Sequence, residues 1–244
     1  MSMKHTVKYF LTAIAVAATL GLTGCSSKLN LTAKSDNGID VEFSTSLGKV
    51  LSSTIKSVTS NLGNGAKPIP LFSADAIKLS MKDSDFQNIK VSTPDENSLN
   101  LAGSLPTADK QTHASGNIRA VDFVSCNSNL LILKLSPKNL KTFADNLPQE
   151  TKNYLDLFMA PVFTGEFMSI EDYKMLIASI YGENIAKELE QSSITVTLAP
   201  PKGKNIKNAG IPKKGSATAT KATFSIPLLE FLTLSTEQVY SIQW

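Results

Sequence analysis

The sequence predicts an α+β fold: a mainly antiparallel sheet built from hairpins, with a helical middle segment packed on one face. Three observations predict it. Paired period-two runs joined by turn signals open the chain, apolar stripes at three- and four-residue steps fill its middle, and period-two runs return from Ile194 to the end. Strands, helices and strands in blocks, with short turns between neighbouring strands, favour antiparallel pairing over a doubly wound parallel sheet.

The first hairpin reads LNLTAK, SDNG, IDVEF, with Asn37-Gly38 as its turn signal. Leu47, Val50, Leu51, Ile55, Val58 and Leu62 then form the stripe of an amphipathic helix that Gly63-Asn64-Gly65 ends. Lys67 to Leu71 is a connector, and Asp75 to Lys82 a short helix. A second hairpin runs NIKVS, Pro94-Asp95-Glu96-Asn97, SLNLAGSL, with Leu99, Leu101 and Leu105 on one face.

Asn117 to Ser125 and Leu130 to Leu135 are strand candidates, the second apolar on both faces and therefore central. Ser136-Pro137 supplies an N-cap and a first-turn proline for a helix to about Asn146, and Pro148 opens another to about Met159. Ser169 and Asp172 resemble a capping box. Behind it Ile170, Tyr173, Leu176, Ile177 and Ile180 form a core-facing stripe that bends near Gly182 and resumes with Ile185 and Leu189. Ile194, Val196 and Leu198 restore period two, followed by a long lysine-rich loop, the strand ATKATFSI and a closing strand, VYSIQW.

The start of the chain carries a separate message. Lys4 and Lys8 precede an uncharged, mostly apolar run from Tyr9 to Leu22, which has the form of an export signal. Its length falls short of the ~20 residues that a membrane-spanning helix needs. Leu22-Thr23-Gly24-Cys25 follows and resembles the lipobox of bacterial lipoproteins. That resemblance implies cleavage between Gly24 and Cys25 by the lipoprotein signal peptidase, a diacylglyceryl group on the Cys25 thiol and acylation, palmitate among the acids, of the new amino group. Residues 1–24 are then a cleaved signal peptide, and 25–244 a single α+β extracytoplasmic domain tethered to a membrane. In enteric bacteria Ser26 after the lipidated cysteine favours the outer membrane over the inner one.

Processing also resets the charge. Without Lys4 and Lys8 the 24 basic residues fall to 22 against 21 acidic ones, a net charge of +1, and Arg119 is the sole arginine. A near-neutral chain offers no global electrostatic argument for binding nucleic acid, and none is expected as a partner. Lipidation consumes Cys25 and leaves Cys126, the second of the 2 cysteines, with no intramolecular disulfide partner. Cys126 reads as a small buried residue beside a turn, the alternative being a reactive or intermolecular thiol.

No catalytic, metal or nucleotide motif emerges. His113 is the sole histidine of the mature chain and sits in a polar stretch, so any catalytic triad would have to be built around it. One His and one Cys make no zinc site. Asp83 with Asp85, and Glu171 with Asp172, are carboxylate pairs whose settings read as a turn and a helix start. The cluster Lys202, Lys204, Lys207, Lys213, Lys214, continued by Lys221, contains no acidic residue and is the candidate surface for an anionic leaflet, the alternative being a solvated hairpin loop.

Three patches, VEFSTSLGKVLSSTI, FQNIKVSTPDENSLNLAGSL and ITVTLAPPKGK continuing into ATFSIPLLEFLTL and VYSIQW, resemble envelope lipoproteins of spirochaetes, especially treponeme-like ones. That resemblance implies anchorage and assigns no activity. The early hairpin and the terminal strands are also similar to the mycobacterial LppM type of lipoprotein, which implies an α+β domain able to bind amphiphiles; the inserted lysine-rich loop departs from that pattern. The expectation is a cell-envelope lipoprotein, anchored to the cell or outer membrane and facing the periplasm or the surface. Its role is that of a non-enzymatic binding module for a partner protein or amphiphilic ligand, with no cofactor beyond the covalent lipid. The alternatives are a surface-exposed interaction or antigen protein and an envelope hydrolase using scattered carboxylates or His113.

Overall fold

The first hairpin forms where the alternating runs and the Asn-Gly signal place it. The computed structural model describes residues 26–62, 72–81, 85–110, 120–145, 158–159 and 161–244. Strands β1 (Ser26–Ala33) and β2 (Ile39–Ser46) pair antiparallel with Leu31 opposite Val41. Asn37 takes φ 62°, a left-handed turn conformation that asparagine tolerates better than most residues. The Gly38 N–H donates to Asp36 Oδ1 at 3.0 Å. Along β2, Ile39, Val41 and Phe43 are buried while Asp40 and Glu42 face solvent, the two-residue alternation of a half-buried strand.

Two helices, α1 (Lys49–Leu62) and α2 (Ala74–Met81), lead to the second hairpin, β3 (Gln87–Ser92) and β4 (Ser98–Leu105). Its turn is held by the Asn97 N–H donating to Asp95 Oδ1 at 2.8 Å, and Leu99, Leu101 and Leu105 are buried as their spacing requires. Gly103 shares that face; a Cβ there would lie 2.6 Å from Phe86 Cδ1, so the missing side chain makes room for the Phe86 ring.

The next strand is shorter than the sequence suggests. Ala120–Asp122 is a turn of 3₁₀ helix, and β5 begins only at Val124, running to Asn127. The Phe123 N–H bonds back to the Ala120 carbonyl at 3.0 Å, which turns the chain before it can extend. Strand β6 (Leu130–Leu135) follows, then α3 (Pro137–Asp145), capped by Ser136, whose Oγ accepts from the Asn139 N–H at 3.1 Å.

After a helical stretch at 158–159 and 161–164 come α4 (Ile170–Tyr181) and α5 (Glu183–Glu190). The cap of α4 is reciprocal: the Asp172 N–H donates to Ser169 Oγ at 3.1 Å, and the Ser169 hydroxyl donates to Asp172 Oδ2 at 2.7 Å. Gly182, at φ 96°, separates the two helices, and Lys174 is paired with Glu190 at 2.6 Å. The core-facing stripe of α4 is narrower than its spacing implies. Tyr173 and Ile177 are fully buried and Ile170 half-buried, but Leu176 is 37% and Ile180 58% exposed, beside Met175 at 62%.

The chain ends with β7 (Ser193–Ala199), β8 (Asn208–Gly210), β9 (Ser216–Ala217), β10 (Ala222–Pro227), α6 (Leu228–Leu232) and β11 (Gln238–Gln243). Among the described residues seven strands form one sheet in the order β3-β4-β2-β1-β7-β10-β9, and four form another in the order β5-β6-β11-β8. The fold is α+β and mostly antiparallel, with two departures from the expectation: there are two sheets, and β1 lies parallel to β7, Ser26 opposite Ser193 and Thr32 opposite Ala199. The lysine-rich segment is more than a hairpin loop. Within it β8 crosses over to pair with β11, Gly210 opposite Ser241, and β9 extends the larger sheet beside β10.

A continuous core joins the sheets. The Phe224 ring on β10 lies 4.4 Å from the Tyr240 ring on β11, and Ile242 and Trp244 are buried with it, so the aromatic tail is a closing strand. As its apolar pattern implies, β6 has a partner on both sides, β5 and β11. The opposite face of the larger sheet carries Lys28, Asp40, Glu42, Lys90 and Asn100, all exposed, the solvated side of a half-buried antiparallel sheet. The expected signal peptide (1–24) and Cys25, the 63–65 glycine signal, the 67–71 connector, Asp83, His113, Arg119 and most of the segment from Pro148 lie outside the described residues. No helix among the described residues is long and apolar enough to cross a membrane.

Candidate functional site

A groove of about 740 Å³ is assembled from segments far apart in sequence. Phe167, Met168 and the capped start of α4 form one wall; Ile226, α6 and residues 233–236 form another; Leu135 and the β11 residues Gln238 to Tyr240 supply a third; Gly210 to Pro212 close the side. The Ser169–Asp172 cap fixes where the first wall begins, since it ends the irregular 165–169 segment and starts the helix.

The lining is mixed, with polar surface nearly matching the apolar. Phe167 is 81% exposed and Val239 51% exposed, two large side chains left in water at the groove itself. Leu135, Ile226, Phe231 and Leu234 continue the apolar surface, while Ser169, Thr233, Ser235, Thr236 and Gln238 provide hydroxyl and amide groups. The charged lining residues are Glu171 and Glu230; no lysine or arginine among the described residues lines it. An anionic head would meet like charge there, whereas a neutral hydroxylated or cationic one would not.

A second depression, of about 320 Å³, lies on the solvated face of the larger sheet among Asn30, Glu42, Ser44, Lys90, Ser92 and Asn100. Within it Asn30 donates to Glu42 Oε2 at 3.3 Å.

The residues singled out by sequence fall elsewhere or split apart. Glu171 lines the groove, but its neighbour Asp172 is engaged in the helix cap, and Asp85 is buried ahead of β3. No described group of three His, Cys, Asp or Glu residues is arranged to hold a metal ion. Cys126 is buried within β5, and burial, reinforced by the charge of Asp36, pushes its thiol up from 9.0 to about 11, so it is protonated and inert at neutral pH. Lys202, Lys204, Lys207, Lys213 and Lys214 are all exposed, and none lines the groove. Sequence reasoning missed Phe167, Ile226, Phe231 and Val239 as a set; the only local signal was Phe167, an aromatic in the polar run TGEFMS just before a helix cap.

No protein-family model matches the chain, and no curated protein matches it. Among solved structures the chain is similar to the folded domain of the LppM protein of Mycobacterium tuberculosis, determined by NMR. The likeness covers 91% of this chain and 89% of that one, at 8% identity and a TM-score of 0.36. A likeness at that level transfers neither a ligand nor a function.

Proposed function

We propose that the chain is a cell-envelope lipoprotein, tethered through Cys25, whose extracytoplasmic domain is a non-enzymatic module that binds an amphiphile in the groove beside α6. The tether rests on the LTGC box after a charged and then apolar leader. Two or three acyl chains, at about 0.8 kcal/mol per buried methylene, hold a body to a leaflet far more firmly than one chain does.

The observation that carries the binding reading is the groove. Its volume lies within the range of about 300–1,000 Å³ typical of small-molecule sites, and its lining sets apolar side chains beside hydroxyl, amide and carboxylate groups, as an amphiphile requires. Exposed Phe167 and Val239 carry an energetic cost in water that a bound hydrocarbon would relieve, at about 25 cal/mol for each Å² covered. Glu171, Glu230 and the surrounding hydroxyls favour a neutral, hydrogen-bonding head over a phosphate.

The test uses residues 26–244, produced without the leader and Cys25, a form that keeps the domain and loses the tether, titrated with the neutral apolar dye N-phenyl-1-naphthylamine. Saturable fluorescence enhancement, displaced by monopalmitoylglycerol and weakened about tenfold or more in a Phe167→Glu, Val239→Glu double variant, is expected. Both positions are exposed, so the variant retains its core. Dye binding that never saturates, or that is indifferent to the substitutions, contradicts the reading.

A further inference from the structure

We infer that one end of the larger sheet, the end carrying α6 and the groove, faces the lipid leaflet and takes its amphiphile from it, while the far end carries Lys202, Lys204 and Lys221 away from the membrane. The inference rests on the Cys25 tether proposed above and goes beyond it by fixing which surface the leaflet meets.

The geometry comes from strand register. Ser26, the first residue after Cys25, is already paired within β1, opposite Ser193. The tether therefore enters the fold without a linker. β1 is the middle strand of seven, so the lipid leaves from the centre of that end rather than from an edge about which the body would swing. On the other side of β7, Ser193 faces Pro227, the last residue of β10, where the chain turns into α6; the Leu228 N–H donates to the Ser192 carbonyl at 3.0 Å. Ile226, which lines the groove, stands opposite Ile194, which stands opposite Ser27. Two strand spacings of about 4.8 Å separate β1 from β10, so the groove lies roughly 10 Å from the line of the tether.

The other end is equally defined. Thr32 lies opposite Ala199, and Lys202 and Lys204 follow Ala199 directly; Lys221 precedes Ala222, which lies opposite Leu198. At about 3.3 Å per residue this level is roughly 20 Å above Ser26, more than two screening lengths of about 8 Å at physiological salt. The far-end lysines thus have little electrostatic hold on the leaflet. Lys213 and Lys214 follow the groove residue Pro212 and are exposed. At the near end Glu190 is paired with Lys174, and exposed Glu230 is offset by exposed Lys28, so the covalent tether rather than charge sets the orientation.

The experiment uses the full lipidated chain in phosphatidylcholine vesicles bearing a headgroup-linked acceptor dye. Donors are placed singly on Gln191→Cys, Glu230→Cys and Asn205→Cys, all exposed positions, with buried Cys126 silent to the label. Protein that floats with the vesicles and shows stronger energy transfer from residues 191 and 230 than from residue 205 is expected. Floating protein with equal or reversed transfer overturns this inference alone. Protein that does not float overturns the tether, and this inference with it.

Discussion

The rings of Phe224 and Tyr240 meet at 4.4 Å with their planes 32° apart, and through them the strand that ends the larger sheet's core joins the strand that closes the smaller one. Aromatic pairs in such tilted geometry contribute about 0.5–1.5 kcal/mol beyond the area that they bury. Removing one ring leaves a cavity at the junction of the two sheets. Tyr240→Ala is expected to destabilise the chain by about 3–5 kcal/mol in urea unfolding, against under about 0.5 kcal/mol for Val239→Ala at the exposed neighbouring position.

The narrowed stripe of α4 separates residues that look alike in sequence. Ile177 is fully buried and Ile180 is 58% exposed. Ile177→Ala is expected to cost about 2–5 kcal/mol and Ile180→Ala to stay within about 0.5 kcal/mol, read from the same denaturation curves. Equal losses would place both in the core, as the heptad-like spacing alone suggests.

Tyr173 is buried and its hydroxyl donates to the Phe158 carbonyl at 2.6 Å, tying α4 to the helical turn before it. Its phenol is raised above the ordinary range, first by burial and then by Tyr181. Tyr173→Phe keeps the ring and strands the carbonyl. A loss of about 1–3 kcal/mol is expected, measured calorimetrically.

Cys126 gives a pH signature. Its thiol moves from 9.0 unfolded to about 11 folded, so between these values the unfolded chain has released a proton that the folded chain retains. The stabilisation is complete below pH 9 and disappears as pH rises through 11. Burial also raises Tyr173, Tyr181 and Tyr240 above their ordinary 10.0, which steepens the alkaline fall. Melting temperatures should decline from pH 9 upward, less steeply in Cys126→Ser. A disulfide-exchange reagent should titrate the thiol at pH 8 only after denaturant is added.

The parts of the fold legible in sequence were those set by neighbours along the chain. The Asn37-Gly38 hairpin, the Ser136 and Ser169 caps, the break at Gly182 and the central position of β6 each follow from spacing within a dozen residues. What escaped depends on residues distant in sequence. Nothing local tells Ser26 to lie parallel to Ser193, or Gly210 to cross over to Ser241. Exposure of Leu176 and Ile180 escaped for the same reason, since periodicity marks an apolar face but not whether another element covers it. The groove was hidden because Phe167, Ile226, Phe231 and Val239 come from four segments and carry no motif. The proposed tether rests on the opposite kind of signal, a motif of consecutive residues, Leu22 to Cys25.

The most direct test of the account is the mass of the N-terminal peptide of the protein isolated from the membranes of the cells that make it. The account predicts a chain starting at Cys25 and carrying a diacylglyceryl group, with a further acyl chain on the amino group where the host supplies one. A chain starting at another residue, or a Cys25 without lipid, contradicts it.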